Sequence, residues 1–266
     1  MKKLIVLAAG LALLVPSLAF ADSFSLRTGY FWPRAVSSSY LAQHPNSLWS
    51  IELTQMTFNP ENFNGWLWGA SYERFLGPKF SLQLSFDTYY QREFGDYWDY
   101  DQTEFDEGWF AFPVDMEPSD ITDWYYISHE FKVTSTPVML SLKLSPFGRK
   151  SRIIPFVGGG VGVYFWSAGI FGEMVDFSDD TWYYPDPVYG DIQVYPVIPV
   201  SAHETEASIG YHAFGGIQIP IGFRSTIDVE ARYHWAVGHF DDPSFVDFDG
   251  FDLGGISVLV GFTFWF

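Results

Sequence analysis

The segment TIDVEARYHW (residues 226–235) alternates strictly between apolar and polar side chains. Its odd positions, from Ile227 to Trp235, are apolar, whereas its even positions, from Thr226 to His234, are polar or charged. A period of two residues places neighbouring side chains on opposite faces of a β-strand. The segment therefore predicts a strand with one apolar and one charged face.

Seven further segments show the same alternation. The eight predicted strands are residues 23–32, 66–75, 80–90, 131–144, 153–166, 207–220, 223–235 and 252–266. Most of them reach the ~9–11 residues that a tilted strand needs to cross a bilayer. Residues 47–58 (SLWSIELTQMTF) also alternate, so ten strands is the alternative to eight.

The connections between the predicted strands alternate in length. Residues 76–79, 145–152 and 221–222 form short turns, whereas residues 33–65, 91–130, 167–206 and 236–251 form long loops. Short turns on one side and long loops on the other are typical of outer-membrane barrels, with the turns periplasmic and the loops extracellular. The charges follow the same division, because residues 91–130, 167–206 and 236–252 hold 25 of the 32 acidic residues.

These patterns predict an all-β fold: a transmembrane, antiparallel, up-and-down β-barrel of eight strands with long acidic extracellular loops. In hydrocarbon every backbone N–H and C=O needs a partner, and closure into a barrel is how strands provide it. The polar faces then fill the lumen, where charges need partners of opposite sign. The candidates for this interior ion-pair network are Arg27, Glu73, Asp87, Lys143, Glu230 and Arg232. Gly158, Gly160 and Gly162 are expected to leave room for long side chains opposite them.

Aromatic residues lie near the predicted strand ends and favour the two aromatic girdles of a membrane barrel. They are Trp66, Trp68, Tyr89, Tyr90, Trp166, Tyr233 and Trp235. A plain apolar core is the alternative interpretation of these residues.

The N-terminus predicts export. Lys2 and Lys3 precede a short apolar run, and the run ends in a small-x-small site at Ala21. This layout is typical of a signal peptide over residues 1–21, cleaved after Ala21, with residues 22–266 as the barrel domain. The chain has no cysteine, which excludes disulfides, thiolate metal sites and a cysteine nucleophile. The net charge of −18 argues against a nucleic-acid partner.

Four strand segments carry a resemblance to a known family: IPFVGGGVGVYFW, YHAFGGIQIPIG, DVEARYHWA and GISVLVGFTFWF. They resemble the strands of small eight-stranded outer-membrane barrels, the OmpA-, OmpX- and OmpW-like proteins. The resemblance implies that the terminal strand, with Phe264 and Phe266, is an assembly signal read by the barrel-assembly machinery. It also implies that this strand closes the barrel against residues 23–32. The size and acidity of the loops depart from the family pattern.

The loops offer weak candidates for chemistry. Asp99, Asp101 and Glu107 suggest a cation site, but the sequence lacks the Gly and Glu that an EF-hand requires at its sixth and twelfth positions. His234, His239 and Asp241 lie near the predicted rim without an adjacent serine nucleophile, so an enzyme is not expected. No cofactor is predicted, and the identity of any metal is left open.

The sequence predicts a monomeric outer-membrane protein with a structural or porin-like role, including a passive, cation-favouring path for small solutes. Its predicted partners are outer-membrane lipid and lipopolysaccharide. The alternative is a surface protein that binds ligands or cells through aromatic residues in its acidic loops. These residues are Trp109, Phe110, Phe112, Trp124, Tyr125, Tyr126, Trp182, Tyr183 and Tyr184. The alternative interpretation is that these aromatic residues pack against each other and keep the long loops ordered. A lipid-modifying enzyme is a third and less favoured hypothesis.

Overall fold

The computed structural model describes residues 22–148, 151–178, 182–245 and 248–266. The predicted signal peptide, residues 1–21, lies outside the described residues. None of the helices within the described ranges is long and apolar enough to cross a membrane.

Eight long antiparallel strands form a closed ring. Their bounds are β1 Asp22–Pro33, β2 Gly65–Phe75, β3 Phe80–Phe105, β4 Tyr125–Leu144, β5 Ile154–Val175, β6 Gly190–Pro220, β7 Ser225–Trp235 and β8 Gly255–Trp265. Each strand pairs with its neighbours in sequence, and β8 closes the ring against β1. The eight-stranded up-and-down barrel predicted from the alternation is therefore confirmed.

The closing seam runs the full length of the two terminal strands. Ser23 pairs with Trp265 at one end and Pro33 with Gly255 at the other. The backbone N–H of Asp22 donates to the carbonyl of Phe266 at 3.0 Å, and the N–H of Phe266 donates back to Asp22 at 2.9 Å. The ring therefore has no open edge along this seam, which is what a strand in hydrocarbon requires.

Side chains on the barrel strands alternate between lumen and exterior. On β8 the even-numbered residues are exposed, whereas Ser257, Leu259 and Thr263 are buried. The exposed side chains of the barrel wall are large and apolar, and include Phe24, Leu26, Trp68, Phe86, Leu140, Leu142, Val157, Ile209, Ile227, Val229, Val258, Val260 and Phe262. The barrel is thus apolar outside and polar inside.

The remaining elements lie beyond the end of the barrel away from the short turns. They are the helices α1 Ser38–Gln43 and α2 Leu48–Gln55, the 3-10 turns Arg34–Val36, Pro60–Phe63, Val114–Met116 and Pro243–Phe245, and the short strands Gly108–Pro113, Trp182–Asp186, Val237–Gly238 and Phe251–Asp252. We call the described residues within 34–64, 91–130, 167–206 and 236–252 the head.

The ten-stranded alternative is wrong, because residues 48–55 form helix α2. The Ser47 hydroxyl accepts a hydrogen bond from the Ser50 backbone N–H at 3.2 Å and caps the helix. Leu48, Trp49, Ser50, Glu52 and Leu53 are all buried. A helix buried on several sides lacks a single apolar stripe, so its short sequence could be read with a strand period.

Much of the predicted loop sequence is also strand. β3 continues to Phe105 rather than ending near Tyr90, and β6 begins at Gly190 rather than near Ala207. Residues 91–96 pair with β4, and residues 197–206 pair with β5. Their acidity suggested loops, but strands that leave the apolar belt face water and accommodate charged side chains.

Candidate functional site in the lumen and the head

Four of the six predicted network residues form one ion-pair cluster inside the barrel. Arg27 donates two hydrogen bonds to the carboxylate of Asp87, at 2.8 Å from Nε and 2.9 Å from Nη2. Arg232 donates to the same carboxylate at 3.2 Å and to Glu230. All four side chains are buried. Two guanidinium groups and two carboxylates thus neutralise one another in the lumen, which buried charges require.

The other two predicted residues form a second pair nearer the short turns. Lys143 Nζ lies 2.9 Å from Glu73 Oε2, and the Ser81 hydroxyl donates to Glu73. Lys143 Nζ also lies 4.2 Å from the centre of the Phe156 ring. The structure therefore places all six predicted residues in the lumen, as one four-membered cluster and one pair.

A glycine makes room for an aromatic residue of this network. A Cβ added at Gly158 would lie 2.4 Å from the Phe214 ring. The Phe214 ring in turn lies 5.1 Å from the guanidinium carbon of Arg232. The expected role of Gly158 is thus explained by Phe214, which packs into the space that the missing side chain leaves.

Above the ion-pair cluster, apolar side chains close the mouth of the barrel. Trp49 of α2 stacks on Phe251 at a centroid distance of 5.2 Å and contacts Phe63 and Phe131 edge-on at 5.4 and 5.3 Å. The Trp49 indole N–H donates to the carbonyl of Asp252 at 3.1 Å. Helix α2 therefore acts as a lid, held by ring contacts and by buried hydrogen bonds.

Two small cavities lie in the lumen of the described residues. One lies beside Asp87, Tyr89, Tyr164 and His234, and the other lies beside Lys143 and its neighbours. Each has a volume of about 20 Å³, which is room for about one water molecule. The lumen in the described residues is filled rather than hollow at both of these levels.

The aromatic residues predicted for the two girdles divide between the outer wall and the interior, and Tyr233 is half-buried beside Trp235. Trp66, Trp68, Tyr90 and Trp235 are exposed on the barrel wall. Tyr89 and Trp166 are instead buried, and Trp166 stacks on Phe251 at 5.3 Å. Tyr89 cannot share the face of Tyr90, because adjacent residues of a strand point to opposite sides.

The head has a small apolar core of its own. Phe110, Phe112, Ile192 and Val194 are buried together, with Trp124 and Tyr184 packed against them. Tyr184 also donates a hydrogen bond to Asp120 at 2.9 Å, and this bond raises the pKa of Tyr184. These contacts hold the short strands Gly108–Pro113 and Trp182–Asp186 in place.

Other aromatic residues of the head remain in contact with solvent. Tyr125, Tyr126, Trp182 and Tyr183 are exposed, and Tyr126 retains 71% of its accessible surface. The structure thus divides the loop aromatics into two subsets. One subset packs the head together and the other lies on its surface.

The predicted cation site does not assemble. Asp99 and Asp101 lie on β3, whereas Glu107 lies in the turn that follows it. In the described ranges no group of three His, Asp or Glu side chains is placed to hold a metal ion. Asp101 instead interacts with Glu117, and burial together with their hydrogen bond raises the pKa of the Glu117 carboxyl.

The three rim residues His234, His239 and Asp241 lie in different surroundings. His234 is buried between the Tyr164 hydroxyl, at 3.0 Å, and Ser257, whereas His239 and Asp241 are exposed. Deeper in the lumen, Ser141 lies 2.7 Å from Nε2 of His212. Both of these residues are buried, so the pair forms an interior hydrogen bond.

A buried pair between the lid and the barrel wall was not found from the sequence. Glu52 Oε2 of α2 lies 2.6 Å from Nε2 of His129 on β4. Nδ1 of His129 lies 3.2 Å from the carbonyl of Glu173. No local signal links residues so far apart in the chain, because the pair depends on how the lid helix docks.

The comparisons with known proteins give structural likeness only. No family model and no curated protein sequence matches the chain. Among solved structures, Neisserial surface protein A is similar at 10% identity and a TM-score of 0.41, over 93% of this chain and 96% of that one. Ail of Yersinia pestis, in complex with the heparin analogue sucrose octasulfate, is similar at 10% identity and a TM-score of 0.40, over 93% and 99%. The N-terminal β-barrel domain of Pseudomonas aeruginosa OprF is similar at 10% identity and a TM-score of 0.38, over 92% and 97%.

Proposed function

We propose that this chain is an outer-membrane protein whose barrel is a sealed anchor and whose head binds ligands or other surfaces outside the cell. The observation that carries the proposal is the lid: Trp49 packs between Phe63, Phe131 and Phe251 at the mouth of the barrel, and the lumen below it holds a neutralised ion-pair cluster.

The barrel wall supports the membrane location. Its exposed side chains, such as Leu26, Phe86 and Val260, are apolar, whereas Arg27 and Arg232 are buried and paired in the lumen. This arrangement is unfavourable in water and favourable in hydrocarbon. The location proposed from it is the outer membrane, which is where barrels of this type occur.

The filled lumen supports an anchor rather than a passive path for solutes. A conducting barrel needs a continuous column of water, but the two interior cavities have volumes of about 20 Å³ each. In addition, the charged side chains of the lumen neutralise one another in ion pairs, so they offer little attraction to a permeating ion. The acidic mouth is therefore not sufficient for cation conduction.

The head supports a binding role because its exposed aromatics stand on an ordered framework. Tyr126 lies on β4, and Trp182 and Tyr183 lie on a strand paired with β6. Aromatic side chains held on rigid elements lose little conformational freedom when they bind a partner. The acidic residues around them would disfavour anionic partners.

Two experiments test the proposal. In planar bilayers, the purified protein is expected to give no stable conductance, and steady ion current would contradict the sealed lumen. In the second experiment, cells that produce the protein are applied to arrays of glycans and extracellular-matrix proteins. Changing Tyr126, Trp182 and Tyr183 together to Ser is expected to abolish the attachment that the unaltered protein confers.

The control for the attachment experiment is Val188→Ser. Val188 is 75% exposed at the tip of the same hairpin but is not aromatic, so this variant should retain attachment. Absence of attachment by the unaltered protein, or equal attachment by the triple variant, would contradict the binding role.

A further inference from the structure

A cavity in the head has the composition of a cation-binding site. It has a volume of 310 Å³ and is lined by Gln55, Tyr97, Asp99, Tyr100 and Phe177. We call it the aromatic pocket. Gln55 is the last residue of α2, so the pocket lies where the lid meets the part of β3 that extends into the head. Its volume is within the range of small-molecule sites.

The rings of the aromatic pocket are fixed by one another. Tyr100 and Phe177 meet edge-on with their centroids 5.5 Å apart. Tyr195 contacts both rings edge-on, with centroid distances of 5.9 Å to Tyr100 and 4.9 Å to Phe177. Ring contacts of this kind hold the aromatic faces in position before a ligand arrives, which reduces the entropy cost of binding.

The electrostatic surroundings of the pocket are negative. The described parts of residues 91–130 and 167–206 are rich in Asp and Glu and contain no Lys and a single Arg, Arg92. Arg92 lies 3.9 Å from Glu130. Asp99 contributes a carboxylate to the lining. Burial raises the pKa of Tyr97 to about 12, so this phenol stays neutral at ordinary pH and the negative charge comes from carboxylates.

These features select one class of ligand. Aromatic faces attract cations, and they bind weakly hydrated organic cations especially well. A metal ion is disfavoured, because only one carboxylate lines the pocket and a hard cation needs several oxygen ligands. An anion is disfavoured by the surrounding carboxylates.

We propose that the aromatic pocket binds an organic cation of the quaternary-ammonium class, with its charged methyl groups against Tyr100 and Phe177 and its charge balanced by Asp99. Such a cation could be free choline or the choline head group of a lipid. The proposal deepens the proposed function by naming a ligand class for the head. It rests on the proposed function in one respect, which is that the pocket opens to the outside of the cell.

The test is calorimetric titration of the full chain, solubilised in a maltoside detergent that carries no choline group. Choline is expected to bind saturably, and its neutral isostere, with carbon in place of nitrogen, at least about tenfold more weakly. Tyr100→Leu and Phe177→Leu each remove one aromatic face while keeping an apolar side chain. Each should lower the affinity for choline about five- to thirtyfold.

Matched variants separate binding from damage to the head. Tyr189→Leu removes an exposed ring outside the pocket and should bind choline as the unaltered protein does. Tyr100→Phe keeps the ring and should restore the affinity that Tyr100→Leu loses. Asp99 is exposed, and Asp99→Asn keeps nearly the same side-chain shape. This variant should therefore weaken choline binding through the loss of charge alone. Circular dichroism and heat-dependent gel migration check that each variant is folded.

The outcomes are distinct from those of the attachment experiment. No saturable binding of choline, equal binding of the neutral isostere, or unchanged binding by both Leu variants would overturn the proposal while leaving the surface role intact. Flotation with phosphatidylcholine vesicles, compared with vesicles of phosphatidylglycerol, distinguishes the two sources. Choline-dependent flotation assigns the pocket to a lipid head group, whereas binding of free choline without flotation assigns it to a soluble ligand.

Discussion

The barrel and the head are built with opposite polarity. In the barrel the charged residues Arg27, Asp87 and Arg232 are buried and the apolar residues face outward. In the head the apolar residues, such as Phe110 and Phe112, are buried and most carboxylates face outward. One chain can bury charged side chains in the barrel and apolar side chains in the head, because hydrocarbon surrounds the barrel and water surrounds the head. The side that faces the solvent, hydrocarbon or water, decides which side chains are sequestered.

The largest expected effect comes from leaving charges unpaired in the barrel. Asp87→Leu removes the carboxylate that accepts from both Arg27 and Arg232. Breaking a buried ion pair costs about 3–5 kcal/mol, because the remaining charges stay desolvated. The folded fraction in urea, measured by heat-dependent gel migration, should therefore fall steeply.

The matched control for that change is Asp106→Leu, at an exposed position in the turn after β3. It adds the same side chain in the head and should leave the urea midpoint nearly unchanged. Similar losses at positions 87 and 106 would remove the distinction between a charged interior and a charged exterior.

The next effect concerns the apolar interior of the lid. Trp49→Ala removes the ring that contacts Phe63, Phe131 and Phe251, and a change of this kind costs about 3–5 kcal/mol locally. We expect chymotrypsin to cleave within residues 34–64 while the barrel strands remain protected. The control Trp98→Ala changes a side chain that is 60% exposed and should leave chymotrypsin cleavage unchanged. Equal cleavage in both variants would contradict the role of α2 as a lid.

A smaller effect is expected from the polar contact under the lid. Glu52→Ala leaves His129 Nε2 without the acceptor it has at 2.6 Å, and an unsatisfied buried group costs about 1–3 kcal/mol. Hydrogen exchange at the backbone amides of residues 48–55 should become faster. The exposed change Glu61→Ala should not alter it; unchanged exchange in Glu52→Ala would show that the pair does not hold the helix.

The smallest effect is a pH dependence of the head. The pKa of Glu117 is raised in the folded protein by burial and by Asp101, so the folded head holds a proton that the unfolded chain releases. This contribution to stability is fully present below the ordinary pKa of Glu and is lost as the pH rises through the raised value. Exchange protection of residues 100–113 should therefore decrease from acidic to neutral pH.

Glu117→Gln removes this titration. In this variant the protection of residues 100–113, corrected for intrinsic exchange rates, should be flat across the same pH range. A pH dependence that persists in the variant would assign the effect to another group.

The barrel could be predicted from the sequence, because its strands alternate strictly and face two different media. The polar face of residues 226–235 pointed directly to Glu230 and Arg232 as interior charges. The same reasoning could have added Asp228, which hydrogen-bonds Thr226 and Thr263 inside the wall. In a strand that separates hydrocarbon from a polar lumen, the alternation of apolar and polar residues indicates which medium each face contacts.

The head could not be predicted in the same way. Residues 48–55 are buried on several sides, so their sequence has no decisive period. Residues 91–105 are acidic strand rather than loop, because they lie in water on a framework of neighbouring strands. The Glu52–His129 pair and the aromatic pocket depend on the docking of α2, and no short stretch of sequence encodes that docking.

The most direct test of the central claim is a nitroxide accessibility scan in lipid vesicles. The chain has no cysteine, so single cysteines can be placed at Ser257, Val258, Val260 and Thr263 of β8 and labelled without background. Labels at Val258 and Val260 are expected to collide with oxygen dissolved in the bilayer, whereas labels at Ser257 and Thr263 should be shielded both from oxygen and from a water-soluble nickel chelate. High nickel accessibility at Val258 and Val260, or loss of the alternation, would contradict a sealed barrel with hydrocarbon on its outer face.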